Sequence, residues 1–325
     1  MRKLLLGTTA LAAAATISAN VAIADVSISG YYEWKYQSTS SNITANDGTT
    51  FGSDSEIAFK FSNKTDSGLT IGMTTELYSD GDENGNSIDE GSLSISGGFG
   101  KVVMGQNDFV GDNYGVASTD LPAEEIYQTG VDTLSVLGAD ITDASADANK
   151  IAYHLPAMGG LTAGVSIMNS GAVGDADSTA VGAKYAMDAG GAAVTLGFAT
   201  VTTENATQDI DSQVVGVKVS SGNITAAVSQ STYEANNADE ESTGAAVSFK
   251  VSDAMTITVH TAETDDSGSN EEYSNTGAEI AYTVAPGLSA YINVEDFDYT
   301  IGTGAGAGTT ADAGTVSKLT IKATF

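Results

Sequence analysis

The chain alternates between apolar and polar residues in segments of about ten residues, and turn-forming residues separate the segments. A period of two is typical of β-strands with one apolar and one polar face. Ten residues tilted near 45° rise by roughly 23 Å, about the apolar thickness of an outer membrane. The pattern predicts sixteen strands, at 25–37, 54–64, 69–78, 88–96, 100–106, 149–155, 161–168, 178–186, 191–201, 211–219, 223–233, 242–250, 255–263, 276–284, 288–298 and 315–325.

The last predicted strand indicates which face meets lipid. Its alternate positions from Leu319 to the terminal Phe325 are apolar, and Lys318 and Lys322 lie on the opposite face. Elsewhere too, lysines lie opposite the apolar face; on the second strand, Lys60 does so. A lysine at the bilayer midplane costs about 2–4 kcal/mol, so a lipid-facing surface excludes it. Strands with an apolar outer face and a charged inner face predict a membrane barrel. In a soluble sandwich the apolar face of each strand would point inward.

The connections between the predicted strands are alternately short and long. The short ones have turn chemistry, such as Asp66-Ser67-Gly68 and Ala285-Pro286-Gly287. The long ones are polar and acidic, at 37–53, 79–87, 107–148, 202–210, 233–241, 263–275 and 299–314. This asymmetry predicts an all-β fold, namely a 16-stranded antiparallel transmembrane β-barrel with short periplasmic turns and long outer loops.

The third long connection, 107–148, is the candidate constriction loop. Connections of this length are usually functional, and we expect this one to fold into the lumen. The wall opposite it would carry lysines, with Glu33 and Glu56 on the same inner face, so it would be mixed. A transverse field between the loop carboxylates and these lysines would favour small polar solutes. The predicted wall residues are Lys35, Lys60, Lys318 and Lys322, and the predicted loop carboxylates are Asp108, Asp112, Asp120, Glu124, Glu125 and Asp132. The alternative is that residues 107–148 form a disordered acidic loop at the surface and do not enter the lumen.

The amino terminus predicts export. Arg2 and Lys3 precede an apolar run that is too short to span a membrane, and an A-x-A pattern ends at Ala24. Residues 1–24 are therefore a predicted signal peptide, and 25–325 a single barrel domain. The chain has no cysteine and a net charge of −30. Removing the signal also removes the single arginine, so nucleic acid is excluded as a partner.

Metal and enzyme motifs are weak. Asp80, Asp82 and Asn84 resemble the start of a calcium loop, but its twelfth position is Gly91. We expect no cofactor, apart from loosely bound Ca²⁺ at these three residues. The chain has no H-E-x-x-H and no G-x-S-x-G motif, and its two histidines fall on polar faces of predicted strands. We therefore predict that it is not an enzyme.

Five features together resemble general bacterial porins, of the alphaproteobacterial type, over essentially the whole predicted mature chain. Besides the sixteen-strand rhythm and Phe325, they are the turn KTDSGL at 64–69, the hairpin GFGKVVMG at 98–105 and the turn from Pro156 to Leu161. The resemblance implies an outer-membrane homotrimer that passes small hydrophilic solutes, and assembly machinery that reads the C-terminal strand. The constrictions of that family usually carry clustered arginines. The predicted mature chain has no arginine, and lysine lacks the rigid geometry of a guanidinium group.

Three functions remain open from the sequence. The first is a porin in the bacterial outer membrane, a water-filled channel for ions and small polar solutes with mild cation preference. The second is a substrate-specific outer-membrane channel. The third, from a different class, is a secreted adhesin or surface-layer protein rich in β structure. A solenoid of that kind should show a short fixed repeat, and the sequence shows none.

Overall fold

A computed structural model of the chain describes residues 25–43, 46–78, 88–108, 110–123, 148–169, 177–204, 209–235, 238–268, 271–300 and 311–325. The predicted signal peptide, 1–24, lies outside these ranges. The strands are β1 (Asp25–Ser41), β2 (Gly48–Lys64), β3 (Thr70–Tyr78), β4 (Gly91–Gly97), β5 (Gly100–Gln106), β6 (Asn149–His154), β7 (Leu161–Asn169), β8 (Asp177–Asp188), β9 (Ala193–Glu204), β10 (Asp209–Ser221), β11 (Ile224–Ala235), β12 (Ala238–Lys250), β13 (Met255–Asp266), β14 (Glu271–Ala285), β15 (Leu288–Thr300) and β16 (Ala311–Thr324). Among the described residues, no helix is long and apolar enough to cross a membrane.

The sixteen strands form one closed antiparallel barrel, as predicted, and each strand pairs with its neighbours in sequence. β16 closes the barrel against β1, where Glu33 lies opposite Lys322 and Trp34 opposite Ile321. Closure pairs every strand on both sides and leaves no edge strand, which a bilayer requires.

Side-chain exposure shows which face points outward. Large apolar side chains at alternate positions are exposed, for example Val228, Val259 and Ile292. Their neighbours along the strands, such as Ser229, Thr258 and Asn293, are buried in the barrel interior. The polarity is therefore the reverse of that in a soluble protein, and the predicted assignment of the apolar face to lipid fits this arrangement.

Several connections that the sequence analysis assigned to loops belong to strands. The predicted connection at 37–53 is wrong, because β1 continues to Ser41 and β2 begins at Gly48. The predicted connection at 233–241 is also too long, because β11 continues to Ala235 and β12 begins at Ala238. The strands continue beyond the band of outward apolar side chains, and their outward residues there are serine, threonine and acidic residues. Backbone pairing does not need the apolar alternation on which the prediction depended.

The carboxyl terminus completes the closure at the end of the barrel where β1 begins. The backbone N–H of Phe325 donates to the Gly30 carbonyl at 3.1 Å, and the N–H of Gly30 donates to the Phe325 carbonyl at 3.2 Å. The Phe325 side chain is exposed on the outward face. A Cβ at Gly30 would overlap the Glu56 carbonyl oxygen and would lie 2.9 Å from the Phe325 ring, so glycine is required at this position.

Candidate functional site: the channel interior

Residues 110–123, here called the inner segment, run along the inside of the barrel wall. The segment contains the helix α1 (Val110–Tyr114) and a 3-10 helix (Ser118–Asp120). Val110, Tyr114 and Val116 are buried against inward-facing residues of the wall. The predicted folding of the third connection into the lumen is therefore present for this part of it.

Glycines on four consecutive strands make room for the inner segment. We call them the glycine path: Gly164 on β7, Gly182 on β8, Gly197 on β9 and Gly216 on β10. Added Cβ atoms would lie 2.8 Å from the Tyr114 ring at Gly164, 2.7 Å from the Tyr114 Cβ at Gly182, and 2.5 Å from a Val116 methyl group at Gly197. At Gly216 the added atom would overlap the Val116 carbonyl oxygen. The backbone of the segment therefore lies directly on the wall.

Hydrogen bonds fix the segment along its length. At its beginning, the Val110 N–H donates to Ser166 Oγ at 3.3 Å, and the hydroxyl of Tyr114 is bonded to Nδ1 of His154 at 2.9 Å. The Ser118 N–H donates to Ser229 Oγ at 2.8 Å. At its end, the Ala123 N–H donates to a Glu279 carboxylate oxygen at 2.8 Å. Burial raises the pKa of the Tyr114 phenol, so this side chain stays neutral at physiological pH.

The predicted loop carboxylates occupy different places. Asp112 and Asp120 are exposed on the inner segment. Asp120 also accepts a hydrogen bond from the Ala117 N–H at 3.2 Å and interacts electrostatically with Lys184 on β8. Asp108 interacts electrostatically with Glu76 on β3. Glu124, Glu125 and Asp132 lie outside the described residues.

The lysines of the predicted wall lie beside acidic residues. Lys35 lies 2.9 Å from a Glu33 carboxylate oxygen, and Lys322 contacts the other oxygen of the same carboxylate. Lys60 lies 3.9 Å from Glu76. The fourth predicted residue, Lys318, is buried on β16 opposite Gln37. The structure thus brings Lys35 and Lys322 together through Glu33, and places Lys60 in a second ion pair.

Replacing Glu33 by glutamine should lower the stability of the barrel and change its ion preference. Glu33→Gln loses two charge-assisted contacts, each of which contributes about 1.5–3 kcal/mol, and leaves Lys35 and Lys322 without this counter-charge. We expect a lower urea midpoint and a reversal potential that shifts toward anions. Glu234→Gln is the matched control, because Glu234 is exposed on the outward face of β11. Equal shifts in both variants would contradict this interpretation of the wall.

Two acidic clusters bear on metal binding. Asp80, Asp82 and Asn84, the weak calcium motif, lie outside the described residues. Within them, Glu56, Glu76 and Asp89 each offer a carboxylate oxygen, and these oxygens lie within 4.8 Å of one another. Carboxylates at this spacing suit a hard cation such as Ca²⁺. Lys60 lies beside Glu76 and supplies positive charge to the same cluster.

The sequence does not predict the wall on which the inner segment rests. Neither the glycine path nor Glu279 is among the predicted site residues, and the lysines on β16, β1 and β2 are predicted for the wall opposite the loop. The described contacts of the inner segment run from β7 to β14. A signal was available, because each path glycine falls on the polar face of its strand, where a side chain would otherwise fill the lumen.

Comparisons with known proteins agree with this architecture. A family model described as Gram-negative porin matches residues 7–302. A search of curated proteins gives no match. Similar solved structures include an anion-selective porin from Comamonas acidovorans, with 19% identity, 93% of this chain and 100% of that chain covered, and a TM-score of 0.62.

Two further structures have the same fold. The trimer form of OmpT, an outer membrane protein of Vibrio cholerae, has 16% identity, 93% and 99% coverage, and a TM-score of 0.67. A mutant porin of Rh. blastica has 17% identity, 93% and 100% coverage, and a TM-score of 0.66. The family match covers most of the chain and excludes the adhesin alternative. The chain belongs to the Gram-negative porin family and is a β-barrel channel protein of the bacterial outer membrane.

Proposed function

We propose that the channel passes ions and small hydrophilic solutes by passive diffusion, and that it catalyses no reaction. The observation that carries the proposal is the inner segment, which rests on one wall of a closed barrel and leaves Asp112 and Asp120 exposed. A segment held in this way narrows a water-filled lumen without closing it, and its charges act on solutes as they pass. A substrate-specific channel is the alternative outcome.

The proposed ion preference is mildly cationic. The chain carries 42 acidic residues against 12 basic ones. On the described strands, outward-facing acids near the long-loop end of the barrel would attract cations to the channel mouth. Charges are screened beyond about 8 Å at physiological ionic strength, so the preference should weaken as salt rises.

The proposed assembly is a homotrimer in outer-membrane lipid, and the outward face offers a surface for it. On the described parts of β16 and β1–β7, that face carries no charged side chain, and we call it the neutral face. Trp34 and Phe51 stack on it with ring centroids 5.6 Å apart. The outward acids all lie on β8–β15: Asp177, Glu204, Asp209, Asp211, Glu234, Asp239, Glu241, Glu263, Asp265, Glu272, Asp296 and Asp298.

This asymmetry supports subunit contact at the neutral face, because interface cores are depleted of charge and enriched in aromatic residues. The trimer form of the Vibrio cholerae protein is consistent with such an assembly. We further propose that the exposed Phe325 presents the last strand to the outer-membrane assembly machinery.

The test is single-channel recording of the purified protein in a planar bilayer under a KCl gradient. We expect large ohmic steps that close in three equal parts, and a reversal potential of mild cation preference. Liposome swelling with sugars of increasing size then separates general diffusion from a specific channel. Folded protein that inserts and never conducts would refute the diffusion function, and saturable uptake of one solute would favour the specific channel.

A further inference from the structure

The far end of the inner segment lies against one buried carboxylate. Glu279 on β14 faces the barrel interior and is 1% exposed, whereas the next residue, Ile280, is exposed on the outward face. One oxygen of Glu279 accepts the hydrogen bond from the Ala123 N–H at 2.8 Å. Glu279 therefore contacts the segment at the last described residue before 124–147.

The local sequence directs this contact to Ala123. The Leu121 N–H donates back to the Ser118 carbonyl at 3.3 Å and so belongs to the 3-10 helix. Pro122 has no N–H. The Ala123 N–H is thus the next backbone donor that can reach the wall, and a carboxylate is a strong acceptor for it.

A neighbouring residue holds the carboxylate in place. Asn293 lies opposite Glu279 in the pairing of β14 with β15. Its side-chain N–H donates to the second oxygen of Glu279 at 3.0 Å, and Asn293 is also 1% exposed. Both carboxylate oxygens are therefore occupied, which orients one of them toward Ala123 and compensates the burial of the charge.

We propose that Glu279, oriented by Asn293, is a positioning residue that fixes the far end of the inner segment and so sets the aperture of the channel. The inference rests on the proposed function, since it assumes that the segment narrows an open channel. The glycine path admits the segment to β7–β10 by leaving space, whereas Glu279 holds it at β14 by attraction. Losing Glu279 frees the far end and leaves the near end docked.

Two substitutions of Glu279 separate the effect of losing the hydrogen-bond acceptor from the effect of losing the negative charge. Glu279→Gln keeps an oxygen that accepts from Ala123, and Asn293 can rotate to offer its oxygen to the new amide. Glu279→Ala removes the acceptor. Losing a hydrogen bond to a charged group lowers the docked-to-undocked ratio of the far end about tenfold or more. We expect larger conductance and more open-channel current noise in the alanine variant, and near-native values in the glutamine variant.

The matched control is Glu295→Ala on β15. Glu295 also faces inward and is 1% exposed, but its oxygens make no hydrogen bond among the described residues. If Glu279→Ala behaves like Glu295→Ala, or if both Glu279 variants change noise equally, positioning by Glu279 is refuted. Heat-dependent gel mobility confirms that each variant has folded before recording.

A second readout does not need conduction. The chain has no cysteine, so Ala123→Cys introduces a unique thiol at an exposed position of the segment. Its rate of modification by a charged thiol reagent reports the environment of the far end in folded, detergent-solubilised protein. Glu279→Ala should change this rate and Glu279→Gln should not. An unchanged rate in both refutes the positioning, whereas a silent wild-type channel refutes only the proposed function.

Discussion

Replacing Val259 by lysine should prevent stable insertion of the barrel. Val259 lies on the outward face of β13, is half-exposed, and pairs with Val247 and Ala278 in an apolar row. A lysine on the lipid face near the midplane lowers the free energy of unfolding by about 2–4 kcal/mol. We expect a large fall in the yield of folded protein in lipid vesicles and a lower urea midpoint, measured by heat-dependent gel mobility.

The control lies on the same strand and the same face. Glu263 is four residues farther along β13, beyond the apolar belt, where its side chain is exposed. Because the cost of a lysine falls to about 0–1 kcal/mol near the interface, Glu263→Lys should fold with near-native yield. Equal yields for the two variants would mean that the outward face of β13 does not meet lipid at Val259.

Replacing Gly216 by valine should widen the channel. An added Cβ at this position would overlap the Val116 carbonyl oxygen, so the inner segment must leave the wall at β10. Overpacking of this kind costs about 1–3 kcal/mol, which lowers the docked-to-undocked ratio about fivefold or more. We expect higher single-channel conductance and faster liposome swelling with large sugars.

A second inward glycine serves as the control. The nearest atom to an added Cβ at Gly52 on β2 is the Cβ of Lys35, at 4.0 Å. Gly52→Val therefore adds the same volume to the inner wall without touching the inner segment. If Gly216→Val conducts like Gly52→Val, the glycine path does not set the aperture.

The barrel could be predicted because the two faces of its sheet meet different surroundings. Lipid outside and water inside impose a period of two on every strand, and a lysine such as Lys60 or Lys322 then marks the inner face. The loop bounds could not be predicted in the same way. Beyond the lipid, outward positions such as Glu263 are free to be acidic, so the alternation ends while the backbone ladder continues.

The contacts of the predicted wall lysines could not be predicted either. Lys35 and Lys322 are far apart in the sequence, and their shared contact with Glu33 depends on the pairing of β1 with β16. Gly216 and Glu279 contact the inner segment because the segment runs along the inside of the closed barrel. The alternation within each strand carries no information about these contacts.

The sequence alone therefore specified the class of fold, the number of strands and the face that meets lipid, because these follow from local alternation and the cost of burying charge. The docking of the inner segment on the glycine path and Glu279 required the tertiary structure. Contacts between a loop and distant strands arise from the three-dimensional register of the closed sheet, and no local periodicity encodes that register.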